Sequence, residues 1–334
     1  MATVLVTGGA GYIGSHMVHQ LKDAGHNVKV FDNLSRGHAD AVTPDELIVG
    51  DIRDTPALSQ AFETVRPDVV MHFAALAYVG ESVTAPDLYY DNNVGGTINL
   101  LNTMQRHGLR RFVFSSTCAT YGEPEQVPIP ENHPQRPINA YGRSKLIIES
   151  LLPDYARAFG LNSVALRYFN AAGCDAKGRV GERHDPETHI IPLVLEAALA
   201  VIDRVADPKP LRVFGNQFAT PDGTCVRDYI HVGDLCSAHL LAAERLLAGK
   251  TEGFEAFNLG NGQGYTVLQV IQTCSRITGV QIPYEIHPAR PGDPARLIGS
   301  AERARQVLGW KPQWPSLEAI VETAWAWHRA HHTV

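Results

Sequence analysis

Six short apolar runs, each separated from the next by enough chain for a helix or a loop, fill the first half of this sequence: VLVT at 4–7, VKVF at 28–31, LIVG at 47–50, VVMHF at 69–73, RFVFSS at 111–116 and SVALRYF at 163–169. Most lack the regular polar alternation of a half-exposed strand, so both faces must be covered. Helices on the two faces of a parallel sheet meet that demand, and the pattern predicts an α/β, doubly wound (Rossmann-type) domain over 1–169. Beyond Asn170 the rhythm loosens into NAAGCDAKGRVGERHDPE, a helical run from Ile190, a strand-like LRVFG and the loop NQFATPDGT. Long aperiodic stretches of this kind are more often ligand loops than filler. Residues 226–248 resume a strand-to-helix order and are expected to return to the first domain. A smaller mixed α/β substrate domain is expected from 170–225 and 249–334, the tail from Phe254 reading as a small mixed unit.

The formal charge of −6 and the absence of any lysine or arginine run exclude nucleic acid or an anionic membrane as the main partner. Ile190 to Ile202, the longest apolar stretch, is interrupted by Glu196 and is shorter than the ~20 residues of a membrane span. Five scattered cysteines (118, 174, 225, 236, 274), with no C-x-x-C, support neither a disulfide framework nor a zinc cage. The N-terminus has no signal-peptide pattern. A cytoplasmic protein without a metal site is expected, and His328, His331 and His332 read as a solvated tail.

The first strand runs into TGGAGYIG at 7–14. Between a strand and a helix beginning near Tyr12, Gly8, Gly11 and Gly14 allow a tight turn and close approach of backbone N–H groups to a pyrophosphate. Alone, this G-x-x-G-x-x-G spacing fits an ordinary turn equally well. The second strand ends in Asp32, however, where a carboxylate accepts the hydroxyls of an adenosine ribose and repels a 2′-phosphate. NAD rather than NADP is the expected cofactor, with Arg36 close enough to soften that inference.

YGRSK places Tyr141 and Lys145 at i and i+4, on one face of a helix capped near Asn139. A free phenol titrates near ~10, so service as a base near neutrality asks for a shift of roughly 3 units, about 4 kcal/mol. One positive charge about 4 Å away contributes roughly that much at an effective dielectric near 20. Lys145 and an oxidised nicotinamide together suffice, making Tyr141 the candidate base. Thr117, at the end of the strand closed by Ser115 and Ser116, is placed to orient a reacting alcohol or relay its proton.

These pieces, in the order VLVTGGAGYIGSH, FDNLS, GDIRD, VVMHFAALAYVGESV, YYDNNVGGT, YGRSK, LRYFNAAG, DGTCVRDYIHVGDL, FNLGNG and RPGDPA, run nearly the whole chain. In that order the sequence closely resembles the extended short-chain dehydrogenase/reductase family, and within it the nucleotide-sugar 4-epimerase branch. The resemblance implies an isomerase, typically homodimeric, that interconverts UDP-glucose and UDP-galactose: transient oxidation at C4 by bound NAD, rotation of the 4-keto sugar, and hydride return. It also implies a cofactor shell of Gly8, Gly11, Tyr12, Ile13, Gly14, Asp32, Asn33, Asp51, Ile52, Phe73, Ala74, Ala75, Asn92, Ser115, Tyr141, Lys145 and Phe169. On the substrate side it points to Thr117, Tyr141, Tyr168 and Asn170 near the sugar. Phe214, Arg227, Tyr229, Arg290 and Asp293 would surround the UDP, with the two arginines meeting the pyrophosphate charge.

Three departures stand out. Ala77 replaces a lysine near the nicotinamide ribose, leaving more of the tyrosine's activation to Lys145. His189, in ETHIIP, replaces a substrate-contacting asparagine and brings a group that titrates near about 6.5. Leu297 stands where bulk beside C2 is limited, leaving UDP-N-acetylhexosamines open as substrates. Related dehydratases and decarboxylases need acidic residues after the threonine; Cys118 and Ala119 stand there instead. A non-enzymatic NAD sensor would have no use for the intact tyrosine-lysine pair.

Overall fold

A computed structural model describes residues 1–205, 210–290 and 293–332. In its first half, β1 (Thr3–Thr7), α1 (Tyr12–Asp23), β2 (Asn27–Asp32), β3 (Leu47–Val49), α2 (Thr55–Val65) and β4 (Val69–His72) precede two short helices, α3 (Val79–Thr84) and α4 (Pro86–Tyr89). Then follow α5 (Gly96–Arg106), β5 (Arg111–Thr117), α6 (Ala140–Phe159), β6 (Asn162–Tyr168) and β7 (Asn170–Ala172). The second half holds α7 (Ile190–Ile202), β8 (Leu211–Phe214), β9 (Val226–His231), α8 (Val232–Leu247), β10 (Phe254–Leu259) and β11 (Gly264–Thr266). It ends with α9 (Val267–Thr278), β12 (Tyr284–His287), β13 (Arg296–Leu297) and α10 (Leu317–His331).

The large sheet has the order β3-β2-β1-β4-β5-β6-β10, with every pair parallel. Successive side chains of a strand face opposite layers. Val4 and Val6 of β1 accordingly join Met17, Val18 and Leu21 of α1 and Leu235 and Ala238 of α8. Leu5 joins Leu58, Leu100, Phe112, Phe114, Ile148 and Leu152 on the other side. Strand order reverses between β1 and β4, which opens a crevice at their carboxyl ends.

One strand of the large sheet, β10, was expected elsewhere. FEAFNL at 254–259 carries Glu255 and Asn258 and so does not read as a buried strand, yet it pairs with β6 from Phe254↔Ser163 to Leu259↔Tyr168. Its polar side chains are satisfied by tertiary partners: Glu255 accepts from Arg245 and Thr251, and Asn258 bonds Tyr121 and the Ile129 carbonyl. The 226–248 segment divides. Its helix α8 covers the large sheet beside α1, whereas its strand β9 is the centre of a second sheet, between β7, β11 and β13. A separate core of α7, α9 and α10, including Leu195, Ile271 and Ile320, backs that sheet, and β8 and β12 form a short parallel pair beyond it.

Candidate active site

The three glycines of the first turn have different reasons to be glycine. Gly8 has φ +74°, and a Cβ there would lie 2.3 Å from the Ala74 backbone nitrogen, across the crevice. At Gly14 a Cβ would lie 2.1 Å from the Gly8 carbonyl oxygen, so α1 meets the strand turn only without a side chain. Gly11 is another matter. A Cβ on it meets nothing nearer than 3.4 Å, and its φ of −79° suits any residue. It caps α1 without a side-chain hydrogen bond, so the free first-turn N–H groups point out past an unfilled surface. That geometry fits a phosphate held against backbone. Gly14→Ala is therefore expected to cost about 3 kcal/mol of stability through backbone overlap. Gly11→Ala should leave the thermal midpoint nearly unchanged and weaken dinucleotide binding at least about tenfold. Melting curves and the nucleotide content of the purified variants check both.

Asp32, at the end of β2, accepts from the Ala10 N–H at 2.9 Å and the Leu34 N–H at 2.8 Å, tying its carboxylate to the glycine turn. Each oxygen keeps a lone pair for a ligand hydroxyl. Arg36 is engaged elsewhere, with Glu81 at 2.9 Å and the Asp185 carbonyl at 3.2 Å, over the Tyr78 ring. Its guanidinium is therefore already paired. Asn33 donates to Asp51 at 2.9 Å, and Arg53 holds the Asp51 carboxyl well below the usual range. Ile52 is buried beneath Gly96, Ala74 and Ala75 follow β4, and Asn92 lies on the π-helical turn Tyr90–Gly95 that leads into α5.

At the carboxyl edge of β5 the chain closes on itself. Thr117 caps the turn Cys118–Thr120, and the start of α6 packs so tightly on it that a Cβ at Gly142 would lie 2.3 Å from the Ala119 oxygen. Asn139 caps α6, its side chain accepting from the Gly142 N–H at 2.8 Å. The next turns of α6 bring Tyr141 and Lys145 inward, 8% and 2% exposed. Ser115 shares a 2.6 Å hydrogen bond with Tyr168 of β6, and Lys145 Nζ donates to the Ser115 carbonyl at 2.8 Å.

Burial pushes the Tyr141 phenol well above its ordinary range, nearby Tyr168 adds to the rise, and the Thr117 hydroxyl offsets part of it. Burial also lowers Lys145 to about 7, against the pull of Glu149. The direction for Tyr141 departs from the sequence-based expectation: with the chain's own groups alone, loss of hydration dominates.

Beneath this edge lies a network that the sequence did not disclose. Ser116 Oγ donates to Glu149 at 2.5 Å, and Glu149 is ion-paired with Arg167 at 2.5 Å, both almost fully buried. Arg167 also donates to Tyr121 at 2.9 Å and to the Glu131 carbonyl at 3.1 Å. Glu149 lies two turns beyond Tyr141 on the apolar face of α6, which was the one available signal.

Across the crevice, Arg227 of β9 is in register with Leu297 of β13, is ion-paired with Asp293 and donates to the Pro294 carbonyl at 2.8 Å. Arg290 stacks over Phe214 at 4.0 Å. Asn170 donates to the Asp228 carbonyl at 3.0 Å, while Phe169 and Leu297 pack with Cys118, Tyr121 and Ile129. The remaining candidates lie deeper. Tyr229 is 3% exposed in the second core, Phe73 packs on His239, and Tyr12 is buried with its hydroxyl on the Gly173 carbonyl at 2.6 Å. His189 hydrogen-bonds Glu182; burial alone would lower its pKa, but Glu182 and Glu187 outweigh burial and hold it above the ordinary 6.5.

A family profile described as the NAD dependent epimerase/dehydratase family matches residues 4–260. The chain belongs to the NAD dependent epimerase/dehydratase family. Its resemblance to members of this family extends past the matched span. It is 53% identical over 328 residues to a UDP-glucose 4-epimerase of Halalkalibacterium halodurans, covering 98% of this chain and 96% of that protein. The UDP-glucose 4-epimerase of Brucella ovis in complex with NAD superposes with a TM-score of 0.92 at 47% identity, over 98% of each chain. That of Bifidobacterium longum in complex with NAD+ and UDP superposes at 0.90 and 36% identity, again over 98% of each. Seven parallel strands flanked by helices are thus the arrangement shared with these family members. Among the described residues, no helix is long and apolar enough to cross a membrane.

Proposed function

We propose that this chain interconverts UDP-glucose and UDP-galactose through NAD-dependent oxidation and re-reduction at C4 of the hexose. The observation that carries the proposal is the closure of Tyr141 and Thr117 on one carboxyl sheet edge, opposite a glycine turn whose middle glycine has no internal reason to be one. Near-end-to-end likeness to UDP-glucose 4-epimerases supports it. Gly11 and the first turn of α1 hold the pyrophosphate, Asp32 and Asn33 the adenosine ribose, and Ser115, Lys145 and Phe169 the nicotinamide end. Bound NAD supplies hydride transfer in both directions.

In this reading Tyr141 removes and returns the C4 hydroxyl proton, and Thr117 orients that hydroxyl. Arg227 and Arg290 hold the diphosphate of UDP, while Tyr168, Asn170 and Leu297 bound the hexose loosely enough for it to turn. The crevice divides a dinucleotide half, built on the large sheet, from a UDP-sugar half built on β7, β9 and α7. We extend the reading to a cytoplasmic homodimer in galactose metabolism that meets its partner through α5 and α6.

The test is incubation of purified protein with UDP-galactose, and separately with its N-acetyl counterpart, followed by analysis of the sugars and of the extracted nucleotide. UDP-glucose should form without added cofactor, and the extracted nucleotide should be NAD. A 4-keto-6-deoxy product, or a strict need for NADP, overturns the proposal. Comparable rates on both substrates would show that Leu297 leaves room beside C2 for the N-acetyl group.

A further inference from the structure

The loop that leads into α7 gathers four side chains whose ligand atoms lie within 4.8 Å of one another: Glu182, His184, Glu187 and His189. They stem from E-R-H-D-P-E-T-H, a segment with no helical or strand periodicity, so only its fold brings them together. From the sequence no metal is expected. The chemistry of the cluster points the other way.

Glu182 is buried, with 2% of its side chain exposed, and Glu187 has 8%. Among the described residues neither carboxylate pairs with a lysine or arginine; their ionic partners are the two histidines. Two buried carboxylates without a permanent cation are costly to keep. Glu187 Oε1 is occupied by the N–H groups of Thr188 at 2.7 Å and His189 at 2.8 Å, which turns Oε2 toward His184 Nδ1 at 3.3 Å. Glu182 Oε1 lies 3.4 Å from the same Nδ1. Two ligands about 2.0–2.1 Å from a tetrahedral ion are separated by about 3.3–3.4 Å, so these two separations have the length that two edges of such a site require. His189 Nδ1 also faces Glu182 Oε1. Close by, within the field of Glu187, the buried Nε2 of His328 has no hydrogen-bond partner among the described residues.

We propose that Glu182, His184, Glu187 and His189 bind one divalent transition-metal ion, zinc by ligand class. Two imidazoles and two carboxylates suit zinc or its neighbours rather than magnesium or calcium, which take oxygen ligands. Each imidazole coordinates through Nδ1, any proton there passing to solvent, and keeps its N–H on Nε2. For His189 the metal replaces the hydrogen bond to Glu182.

The ion acts as a clasp. His184 packs edge-on against Tyr12 of the glycine turn and against Tyr78, with ring centroids 5.9 and 6.2 Å apart. Arg183 is paired with Asp40, and its carbonyl bonds His38 at 3.1 Å. Fixing this loop therefore fixes the seam between the dinucleotide turn and the start of α7.

The test uses untagged full-length protein, with zinc as the probe. Metal analysis of the isolated protein should find about one equivalent of transition metal per chain, and stripping with dipicolinate should lower the melting midpoint by roughly 4 °C or more, restored by stoichiometric zinc. His184→Gln and Glu187→Gln should each lose both the bound equivalent and the zinc-dependent shift. His331→Gln/His332→Gln, which alters only the tail histidines, should keep both. Absence of bound metal together with no shift on adding zinc overturns the proposal, as does metal that survives both loop substitutions or is lost with the tail histidines. The readouts do not depend on turnover, so failure here is distinguishable from failure of the epimerase reading.

Discussion

Tyr141→Phe is expected to lower turnover of UDP-galactose by about three orders of magnitude, within the range for loss of a positioned general base, while the protein keeps its fold and its bound dinucleotide. The ring stays packed edge-on to Tyr89 at 6.5 Å and only the hydroxyl is removed, so no cavity large enough to unsettle α6 is made. What is lost is the oxygen that Thr117 stabilises as a phenolate. The phenol and amine titrations add a second measurement. In protein freed of nucleotide, burial holds Tyr141 above its ordinary pKa and brings Lys145 down to about 7. No phenolate absorbance should then develop between pH 6 and 9, although Lys145 loses its charge across that interval. The charge of oxidised NAD favours the anion, so phenolate should emerge in that same interval once the cofactor is restored. Turnover of Tyr141→Phe within tenfold of the unsubstituted protein would remove Tyr141 from the role of base.

The other large effect is expected at the buried pair beneath the same edge. Glu149→Gln leaves the Arg167 guanidinium, which is 6% exposed, without its carboxylate. Breaking one side of such a pair costs about 3–5 kcal/mol, on the order of 8 °C in melting midpoint for a chain of this size. The remaining partners of Arg167, the Tyr121 hydroxyl, the Glu131 backbone carbonyl and the Gln135 side-chain amide oxygen, are neutral and do not replace that charge. The amide keeps one oxygen within reach of Ser116, but its NH2 group then faces the donors Arg167 Nη2 and Gln135 Nε2, which lose their acceptor. A double replacement, Glu149→Leu with Arg167→Met, removes both charges and should recover part of the loss, because no ion is left stranded. Urea unfolding of the three variants decides: equal destabilisation of single and double variants would show that packing, not stranded charge, sets the cost.

The strands legible in the sequence are those buried on both faces. In β1, β2, β4, β5 and β6 a run of apolar residues lies in one or the other of two cores, so apolar character alone marks them. At the sheet edge that signal fails, because β10 carries Glu255 and Asn258, whose partners come from α8 and from a loop more than a hundred residues away. The same contrast holds at the site. Tyr141 and Lys145 could be read because four residues is one helical turn. Glu149 and Arg167 could not, since a charge within an amphipathic pattern reads as solvated until its buried partner is known. The loop cluster from Glu182 to His189 was hidden for a further reason: no local periodicity reports which side chains converge.

The segment from Val226 to Leu247 passes without a break from the middle of the second sheet onto the helical layer of the first, and Ile230, Val232 and Leu235 lie in the same core as Val4 and Val6. It ties the two walls of the crevice to one shared core, so a change of volume at Ile230 or Val232 is transmitted to the sheet that carries the dinucleotide turn as well as to the sheet that faces it.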